Sequence, residues 1–290
     1  MCIRDRDTIM SRKRVVILGN MRKKGVAEQI ERLREWFEQR CDLLAVLSAD
    51  TAVAAPVDRA DLCVVFGGDG TLLSAARLFA GKNTPLLGVN MGKLGFLADF
   101  NVEHMQKHFE DVLAGRVHSA ERMMLEVCVS NCDQHNFCSP AANDVAISSG
   151  APFRMVDLLV EQGDSQIARY LGDGLVVATP TGSTGYNMSA GGPILEPTLD
   201  AIAITPVAPH TLSLRPIVVR SDRTIRITAR SVNLGTAVII DGQVSSSLCD
   251  GDVVEVRRAD ESAHIIPHPG RDFFDTLSSK LQWGRSPHHD

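Results

Sequence analysis

The sequence lacks three features, each of which would point to a particular class of protein. No stretch approaches the roughly 18 consecutive apolar residues that span a bilayer. There is no basic excess of the kind nucleic-acid binders usually have, since 30 Lys and Arg face 35 Asp and Glu, for a net charge of −5. The opening MCIRDRDTIM has charges but no apolar core, so it does not resemble a secretory signal. We therefore expect a cytoplasmic protein with no nucleic-acid or membrane partner.

The cysteines also lack a recognisable pattern. There are seven, and none forms a CxxC pair. An odd number at irregular spacing argues against a disulfide framework and for a reducing compartment. Cys128, Cys132 and Cys138 lie close together in sequence, but without a CxxC pair we interpret them as thiols. We assign no metal ligand anywhere in the chain.

The first half alternates predicted strands and helices. A length of 290 residues suits two domains, although one large domain is an alternative. Segments rich in β-forming residues alternate with segments of helical periodicity. The predicted strands are 14–19, 42–47, 62–66 and 85–90, and the predicted helices are 25–39, 71–80 and 102–113. This alternation predicts a parallel sheet with flanking helices over residues 12–116, after a disordered leader at 1–11.

The second half has a different pattern. Short β-rich segments separated by turn residues extend from about Arg122 to Arg258, which predicts a mostly-β, antiparallel domain over residues 117–262. Helical spacing returns at Asp272–Trp283. We expect residues 263–290 to form a C-terminal segment whose helix packs back on the N-terminal domain. The fold class is thus an α/β domain plus a mostly-β domain, α+β overall.

A glycine-rich segment follows the third predicted strand. It comprises Gly67, Gly68, Asp69, Gly70 and Thr71. Glycines between a strand and a helix let backbone N–H groups approach phosphate oxygens, and the helix N-terminus adds partial positive charge. A carboxylate there suits phosphoryl transfer, because it can accept a proton from an attacking hydroxyl or share a metal ion with the phosphates. The alternative is a tight turn with Asp69 as helix cap. The segment matches neither the Walker A loop nor the GxGxxG fingerprint.

A second glycine-rich region reads GDGLVVATPTGSTGYNMSAGGPILEP at 172–197. Its hydroxyl and amide side chains surround Gly182 and Gly185, so they can hydrogen-bond a polar ligand at close range. Tyr186 can stack on a flat ring. The alternative from composition alone is a polar surface loop.

At these residues the chain resembles the NAD kinase family. The segments that match in order are GGDGTLL at 67–73, GKLGFLAD at 92–99, Asn143-Asp144, the 172–197 region, PHTLSLRPIVV at 209–219 and the shorter Asp241-Gly242-Gln243. The resemblance covers about 12–283. GGDGT alone is weak, because lipid kinases and phosphofructokinases are similar there, whereas the TPTGST-Y-SAGGPI segment is highly specific.

The resemblance implies a fold, an activity and partners. The α/β domain would bind ATP and the β-rich domain NAD, and the chain would transfer the γ-phosphoryl group of ATP to the 2′-hydroxyl of the adenosine ribose of NAD. The expected cofactor is a divalent ion, Mg²⁺. The expected donor is ATP or polyphosphate, and the expected assembly is a homodimer or homotetramer.

The resemblance also implies site residues. Asp69 would be the catalytic proton acceptor. The phosphate loop would be Gly67, Gly68, Gly70 and Thr71. The NAD-binding residues would be Asp69, Gly70, Asn143, Asp144, Arg154, Asp173, Thr184, Gly185, Tyr186, Asn187, Met188, Ser189 and Gln243.

Three positions depart from the family pattern. Asp144 stands where glutamate is usual, Gly185 where alanine is usual, and Leu171 where many members carry a basic residue. The first shortens a side chain by one methylene, the second frees the backbone, and the third removes a charge. None of them touches Asp69.

Two other functions are alternatives to the NAD kinase activity that the resemblance implies. One is a lipid or sugar kinase that shares the GGDGT loop; the 172–197 region and the absence of an apolar membrane-binding stretch argue against it. The other is a non-catalytic NAD(P)-sensing module. Asp69 argues against that, because binding alone gains nothing from a carboxylate beside phosphates.

Overall fold

The computed structural model describes residues 12–49, 59–92, 95–130 and 136–282. The leader predicted at 1–11 lies outside these residues. The chain forms two compact units. The first takes the chain up to Ala75 together with Thr84–His118, and the second takes Ala76–Asn83 and everything from Ser119 onward.

The first unit contains a parallel four-stranded sheet with flanking helices. Its strands are β1 (Arg14–Gly19), β2 (Asp42–Ser48), β3 (Leu62–Gly67) and β4 (Leu86–Asn90), in the order β2-β1-β3-β4. Its helices are α1 (Val26–Glu38), α2 (Asp69–Leu78, whose last three residues belong to the second unit) and α3 (Val102–Leu113). Every residue of β3 and β4 is buried, as expected of strands covered on both faces.

Helix α2 begins two residues earlier than predicted. The prediction of 71–80 is wrong at both ends, because the helix spans Asp69–Leu78. The carbonyl of Gly68 accepts hydrogen bonds from the N–H groups of Thr71 at 3.0 Å and Leu72 at 3.2 Å, which forms the first turn directly after the strand. Asp69 is therefore the first residue of the helix, and Thr71 is buried in its first turn.

The second unit is built from two antiparallel sheets. The strands of the first are β5 (Ala120–Ser130), β6 (Phe137–Ala141), β8 (Val156–Gln162), β9 (Ser165–Gly172), β13 (Ile225–Ser231) and β16 (Val253–Ile265). Those of the second are β7 (Asp144–Ser148), β10 (Gly174–Ala178), β11 (Ala201–Val207), β12 (Ile217–Arg220), β14 (Ala237–Ile240) and β15 (Val244–Ser247). The first has the order β16-β13-β8-β9, with β5 paired to β16 and to β6, and the second has the order β12-β11-β10-β7-β14-β15.

One apolar core joins the two sheets of the second unit. Val127 of β5 and Val254 of β16 share it with Val145 of β7 and Val238 of β14. Alternate residues of each strand point into this core, as the two-residue period of a strand requires. The expected fold class, an α/β domain followed by a mostly-β domain, is confirmed.

The cysteine prediction is wrong at one pair. Cys128 and Cys138 form a disulfide across β5 and β6, with Cα atoms 4.2 Å apart. The register of the two strands sets these residues directly opposite each other. Sequence spacing did not reveal the pair because it does not show strand register. Cys41, Cys63 and Cys249 are free thiols.

The second unit also contains helices. Helix α4 (Tyr186–Ser189) is a single turn, and helix α5 (Phe273–Leu281) is the helix predicted near the C-terminus. A reciprocal capping box between Asp272 and Asp275 begins α5. Across the described residues, no helix is both long enough and apolar enough to cross a membrane.

Candidate functional site

The first candidate site lies where β3 passes into α2. The half-buried carboxylate of Asp69 accepts three backbone hydrogen bonds from one loop: Oδ2 from Phe96 N–H at 2.8 Å, and Oδ1 from Leu97 at 3.1 Å and Ala98 at 3.0 Å. Three donors on one carboxylate fix its orientation without another side chain. The loop that follows β4 therefore supports the residue predicted to be catalytic.

Two glycines allow this arrangement. A Cβ atom on Gly95 would lie 1.8 Å from Asp69 Oδ1, and one on Gly67 would lie 2.2 Å from Thr71 Oγ1. Both positions are too close for any side chain. Gly68, in contrast, has open space where a Cβ would be, so its backbone is accessible to a ligand. The glycines at this site thus have different roles: Gly67 and Gly95 permit close packing, and Gly68 leaves room.

The loops after β1 and β4 lie at the same edge of the parallel sheet as the loop after β3. The buried side-chain oxygen of Asn20 has no hydrogen-bond partner among the described residues. Asn90 Oδ1 accepts the N–H of Gly92 at 2.8 Å. Carboxyl ends of parallel strands are the usual place for ligands in such sheets. The first unit therefore offers polar groups from three loops at one edge.

The second candidate site is a cleft of about 500 Å³ within the second unit. Its volume is within the range of small-molecule sites. Residues from three segments line it: Asn143, Asp144, Ala146, Ser148, Tyr186, Ile239, Asp241 and Gly242. Three of them, Asn143, Asp144 and Tyr186, are predicted NAD-binding residues, and the cleft brings them together.

Strand alternation explains most of the lining residues that the sequence analysis missed. Asp144, Ala146 and Ser148 occupy one face of β7, while Val145 and Ile147 point into the core. On β14, Ile239 faces the cleft and its neighbours on either side are in the core. The signal was present, because the two-residue period of a strand that begins at Asp144 predicts these positions. The cleft therefore extends from the Asn143-Asp144 motif along one face of β7.

Asp241 was also missed as a site residue, although its motif was recognised. Its Oδ1 accepts N–H groups from Asn143 at 2.8 Å and Asp144 at 3.1 Å, and its Oδ2 accepts that of Ala142 at 3.0 Å. Arg77 pairs with the same carboxylate at 2.7 Å. The left-handed backbone of Asp241, with φ of 49°, directs this buried side chain back under β7.

The electrostatics of the cleft centre on Asp144. Burial raises the pKa of its carboxyl from 3.8 to about 7, and the negative charge of Asp241 raises it too. The backbone N–H of Tyr186 lowers the pKa through a hydrogen bond. A carboxyl group with this pKa changes protonation near neutral pH, which is common at functional sites.

The 181–189 segment contributes both lining and support. A 3-10 helix (Thr181–Thr184) leads into α4. Asn187 is fully buried: its amide group donates to the carbonyls of Ser183 at 3.1 Å and Pro193 at 2.9 Å, and its Oδ1 accepts from Thr205 at 2.6 Å. Its side chain therefore supports the segment from within.

The remaining predicted residues of the segment lie around this support. A Cβ on Gly185 would be 3.4 Å from Asn143 Nδ2 and 3.5 Å from Asp144 Oδ2, so Gly185 borders the cleft. Thr184 and Met188 are half-buried, and Ser189 is exposed.

Three further predicted residues lie on the surface of the second unit. Arg154, Asp173 and Gln243 are exposed. The carbonyl of Arg154 is bound by the amide of Asn233, and Gln243 Oε1 accepts from Arg77 at 2.5 Å. None of the three lines the 500 Å³ cleft.

Comparisons with known proteins agree with each other over both units. Residues 20–117 match the family described as ATP-NAD kinase N-terminal domain, and residues 142–268 match the ATP-NAD kinase C-terminal domain. A curated NAD kinase of Trichlorobacter lovleyi is 41% identical over 288 residues, covering 94% of this chain and 99% of that protein. One of Geotalea daltonii is 43% identical over 227 residues, covering 78% and 80%.

Two solved structures have the same fold. The yeast NADH kinase complexed with NADH has a TM-score of 0.81 and 25% identity, covering 97% of this chain and 90% of that one. An NAD kinase from Archaeoglobus fulgidus in complex with ATP has a TM-score of 0.71 and 25% identity, covering 93% and 98%.

Proposed function

The chain belongs to the NAD kinase family and is an ATP-dependent NAD kinase, and we propose that Asp69 takes the proton from the attacking ribose hydroxyl. The observation that carries this assignment is the way the carboxylate is bound. Oδ1 accepts two backbone N–H groups, whereas Oδ2 accepts one among the described residues. A carboxylate oxygen has two lone pairs, so Oδ2 keeps one for a hydroxyl proton.

The proposed reaction is an in-line displacement. As Asp69 takes the proton of the 2′-hydroxyl, the freed oxygen attacks the γ-phosphorus of ATP, the bond to the leaving oxygen of ADP breaks, and NADP forms. Positioned base catalysis typically contributes about 10²–10⁴-fold in rate. Because the three loop donors hold the carboxylate in one orientation, little rearrangement is needed to align it.

The backbone of Gly67, Gly68, Gly70 and Thr71 is the proposed cradle for the ATP phosphates. It lies at the start of α2, where the positive end of the helix dipole favours anions. The open space beside Gly68 supports close approach of a phosphate. The buried Thr71 hydroxyl packs against Gly67, which fits a supporting role for that side chain.

We also propose that Mg²⁺ accompanies ATP. Among the described residues, no group of three or more His, Cys, Asp or Glu is placed to hold a metal ion. Mg²⁺ usually binds one or two carboxylates and otherwise waters and substrate phosphates, so ATP itself can bring it to the site. Such an ion would be held by the ATP phosphates and by water, because the lone pair that Asp69 Oδ2 keeps is assigned to the ribose hydroxyl. When bound, the ion neutralises charge on the β- and γ-phosphates.

The cleft of the second unit is the proposed NAD site. Asn143 and Asp144 supply amide and carboxyl groups for hydrogen bonds, and the half-exposed ring of Tyr186 can stack on a flat heterocycle. The side-chain oxygen of Asn143 is buried without a partner in the described structure, which supports a ligand contact there.

Location and assembly are proposals as well. We assign the enzyme to the cytoplasm, supported by the free thiols of Cys41, Cys63 and Cys249, although the Cys128–Cys138 disulfide is a bond more common outside that compartment. A homodimer or homotetramer is supported by large apolar side chains on the second unit, among them Leu212 at 84% and Leu234 at 91% exposed. Light scattering coupled to gel filtration would give the mass, and a monomer at micromolar concentration would contradict the assembly.

The assay that tests the function follows NADP formation from NAD, ATP and Mg²⁺. We expect NADP to appear only when all three are present. Diacylglycerol and fructose 6-phosphate, offered in place of NAD, should not be phosphorylated. A folded protein that binds NAD but forms no NADP with ATP would contradict the proposed catalytic role of the site.

A further inference from the structure

Arg77 lies in the last turn of α2 and binds two side chains of the Asp241-Gly242-Gln243 segment. Its Nη1 donates to Asp241 Oδ2 at 2.7 Å, and its Nη2 donates to Gln243 Oε1 at 2.5 Å. The Asp241 side chain is 0% exposed and that of Arg77 is 12% exposed. A planar guanidinium that makes two directed bonds, one of them to a fully buried carboxylate, fixes geometry as well as charge.

The Asp241 carboxylate connects Arg77 to the cleft. Besides pairing with Arg77, it accepts the backbone N–H groups of Ala142, Asn143 and Asp144. The N–H of Asp241 in turn donates to the carbonyl of Asp144 at 2.9 Å. One carboxylate thus binds the N–H groups of the backbone that presents Asn143 and Asp144 to the cleft, and Arg77 pairs with that carboxylate.

We propose that Arg77 is a positioning residue for the acceptor nucleotide: by holding Asp241 and Gln243, it fixes Asn143 and Asp144 in the geometry that binds NAD. This inference rests on the proposed function, because it takes the cleft to be the NAD site. A positioning role and a general stabilising role of Arg77 predict different effects on the two substrates. Both hydrogen bonds of the guanidinium go to the segment beside the cleft, so its loss should affect NAD more than ATP.

The test compares Arg77→Met with wild type in steady-state kinetics, with NAD and ATP varied separately. Methionine keeps the apolar stem and removes the charge and both donors. We expect the KM for NAD to rise about 10–100-fold, by analogy with the loss of residues that orient metal ligands. The KM for ATP should stay within about twofold, since the proposed phosphate cradle is unchanged. Arg77→Lys, which keeps the charge but not the fork, should lie between the two.

Arg34→Met is the matched control. Arg34 is also a helical arginine in an ion pair, with Glu31 at 3.1 Å, but it is 42% exposed. It should leave both KM values unchanged. If Arg77→Met shows no cooperative unfolding transition, it is not properly folded, and the test then uses Arg77→Lys. For Arg77→Lys we expect the KM for NAD to rise about 3–10-fold and the KM for ATP to stay unchanged.

Two results would overturn the inference. One is an unchanged KM for NAD in a folded Arg77→Met protein, or in Arg77→Lys where that variant decides. The other is an equal loss for NAD and ATP, which indicates general damage. Failure of the proposed function is distinct, because it is seen in wild type as an absence of ATP-dependent NADP formation.

Discussion

Asp69 and Asp144 are both aspartates of glycine- or amide-containing motifs, but their surroundings differ. The Asp69 carboxylate accepts three backbone N–H groups from one loop. The Asp144 carboxyl is buried beside the charge of Asp241, has a hydrogen bond from Tyr186, and has a pKa raised to about 7. The fold satisfies the first group, whereas the second is costly to ionise. A carboxylate held by three donors suits a fixed base, and a buried carboxyl that is costly to ionise suits a group that gains from binding a ligand.

The same contrast separates two asparagines of the proposed NAD-binding set. Asn187 is buried with both ends of its amide bonded, to Ser183, Pro193 and Thr205. Asn143 has a buried oxygen without a partner among the described residues. One amide maintains the site and the other is available to a ligand. Substitutions can therefore distinguish supporting groups from binding groups.

The largest expected effect is on catalysis. Asp69→Asn removes the proton acceptor, so kcat should fall about 10²–10⁴-fold. An amide also cannot accept at both ends, which puts its NH₂ group against one of the loop N–H donors. NAD binding, measured by titration calorimetry, should remain detectable. Asp164→Asn, in an exposed turn, is the control and should keep full activity. An Asp69→Asn enzyme with a near wild-type rate would remove the mechanism.

The next effect is on stability, at the supporting amide. Asn187→Ala leaves the carbonyls of Ser183 and Pro193 and the hydroxyl of Thr205 without their partner. Each unsatisfied buried group costs about 1–3 kcal/mol, so we expect the free energy of unfolding to fall by roughly 3 kcal/mol. Urea denaturation followed by circular dichroism measures it. A change below the error of that measurement would show that the network does not support the segment.

The sequence predicted motifs better than their surroundings. GGDGT was recognised, but the three N–H groups that bind the Asp69 carboxylate come from residues 96–98, which lie 27 to 29 positions further along the chain. Such long-range pairs leave no local pattern. Ser148 and Ile239 were within reach, because strand alternation from Asp144 and Val238 indicates their face. Arg77 was not, since a helical arginine gives no sign of its partner.

A third effect depends on pH and concerns Asp144. Its pKa is about 7 in the folded chain, against the ordinary 3.8. The folded protein therefore holds the proton more tightly than the unfolded one, and this group lowers stability as pH rises from about 4 to about 7. Asp144→Asn removes the effect. Its stability relative to wild type should be greater at pH 8 than at pH 5 by about 3 kcal/mol, because the difference builds up over about two pH units, from pH 5 to pH 7, at 1.36 kcal/mol per unit.

Thermal or urea unfolding of wild type and Asp144→Asn at the two pH values measures that difference. The charged groups near Asp144 in this comparison are Asp241 and its partner Arg77. Asp164→Asn again serves as the control, with an expected difference near zero. If the stability difference between the two proteins is the same at both pH values, burial does not raise the pKa of the Asp144 carboxyl.

The smallest expected effect sharpens the comparison of the two asparagines. Asn143→Ala removes an oxygen that has no partner in the described structure, so the free energy of unfolding should change by less than about 1 kcal/mol. The KM for NAD should still rise about 2–10-fold, which corresponds to one lost neutral hydrogen bond. Asn187→Ala provides the reference for a bonded amide. If Asn143→Ala destabilises the protein as much as Asn187→Ala does, Asn143 belongs to the supporting network, and the distinction between bonded and available groups fails at the cleft itself.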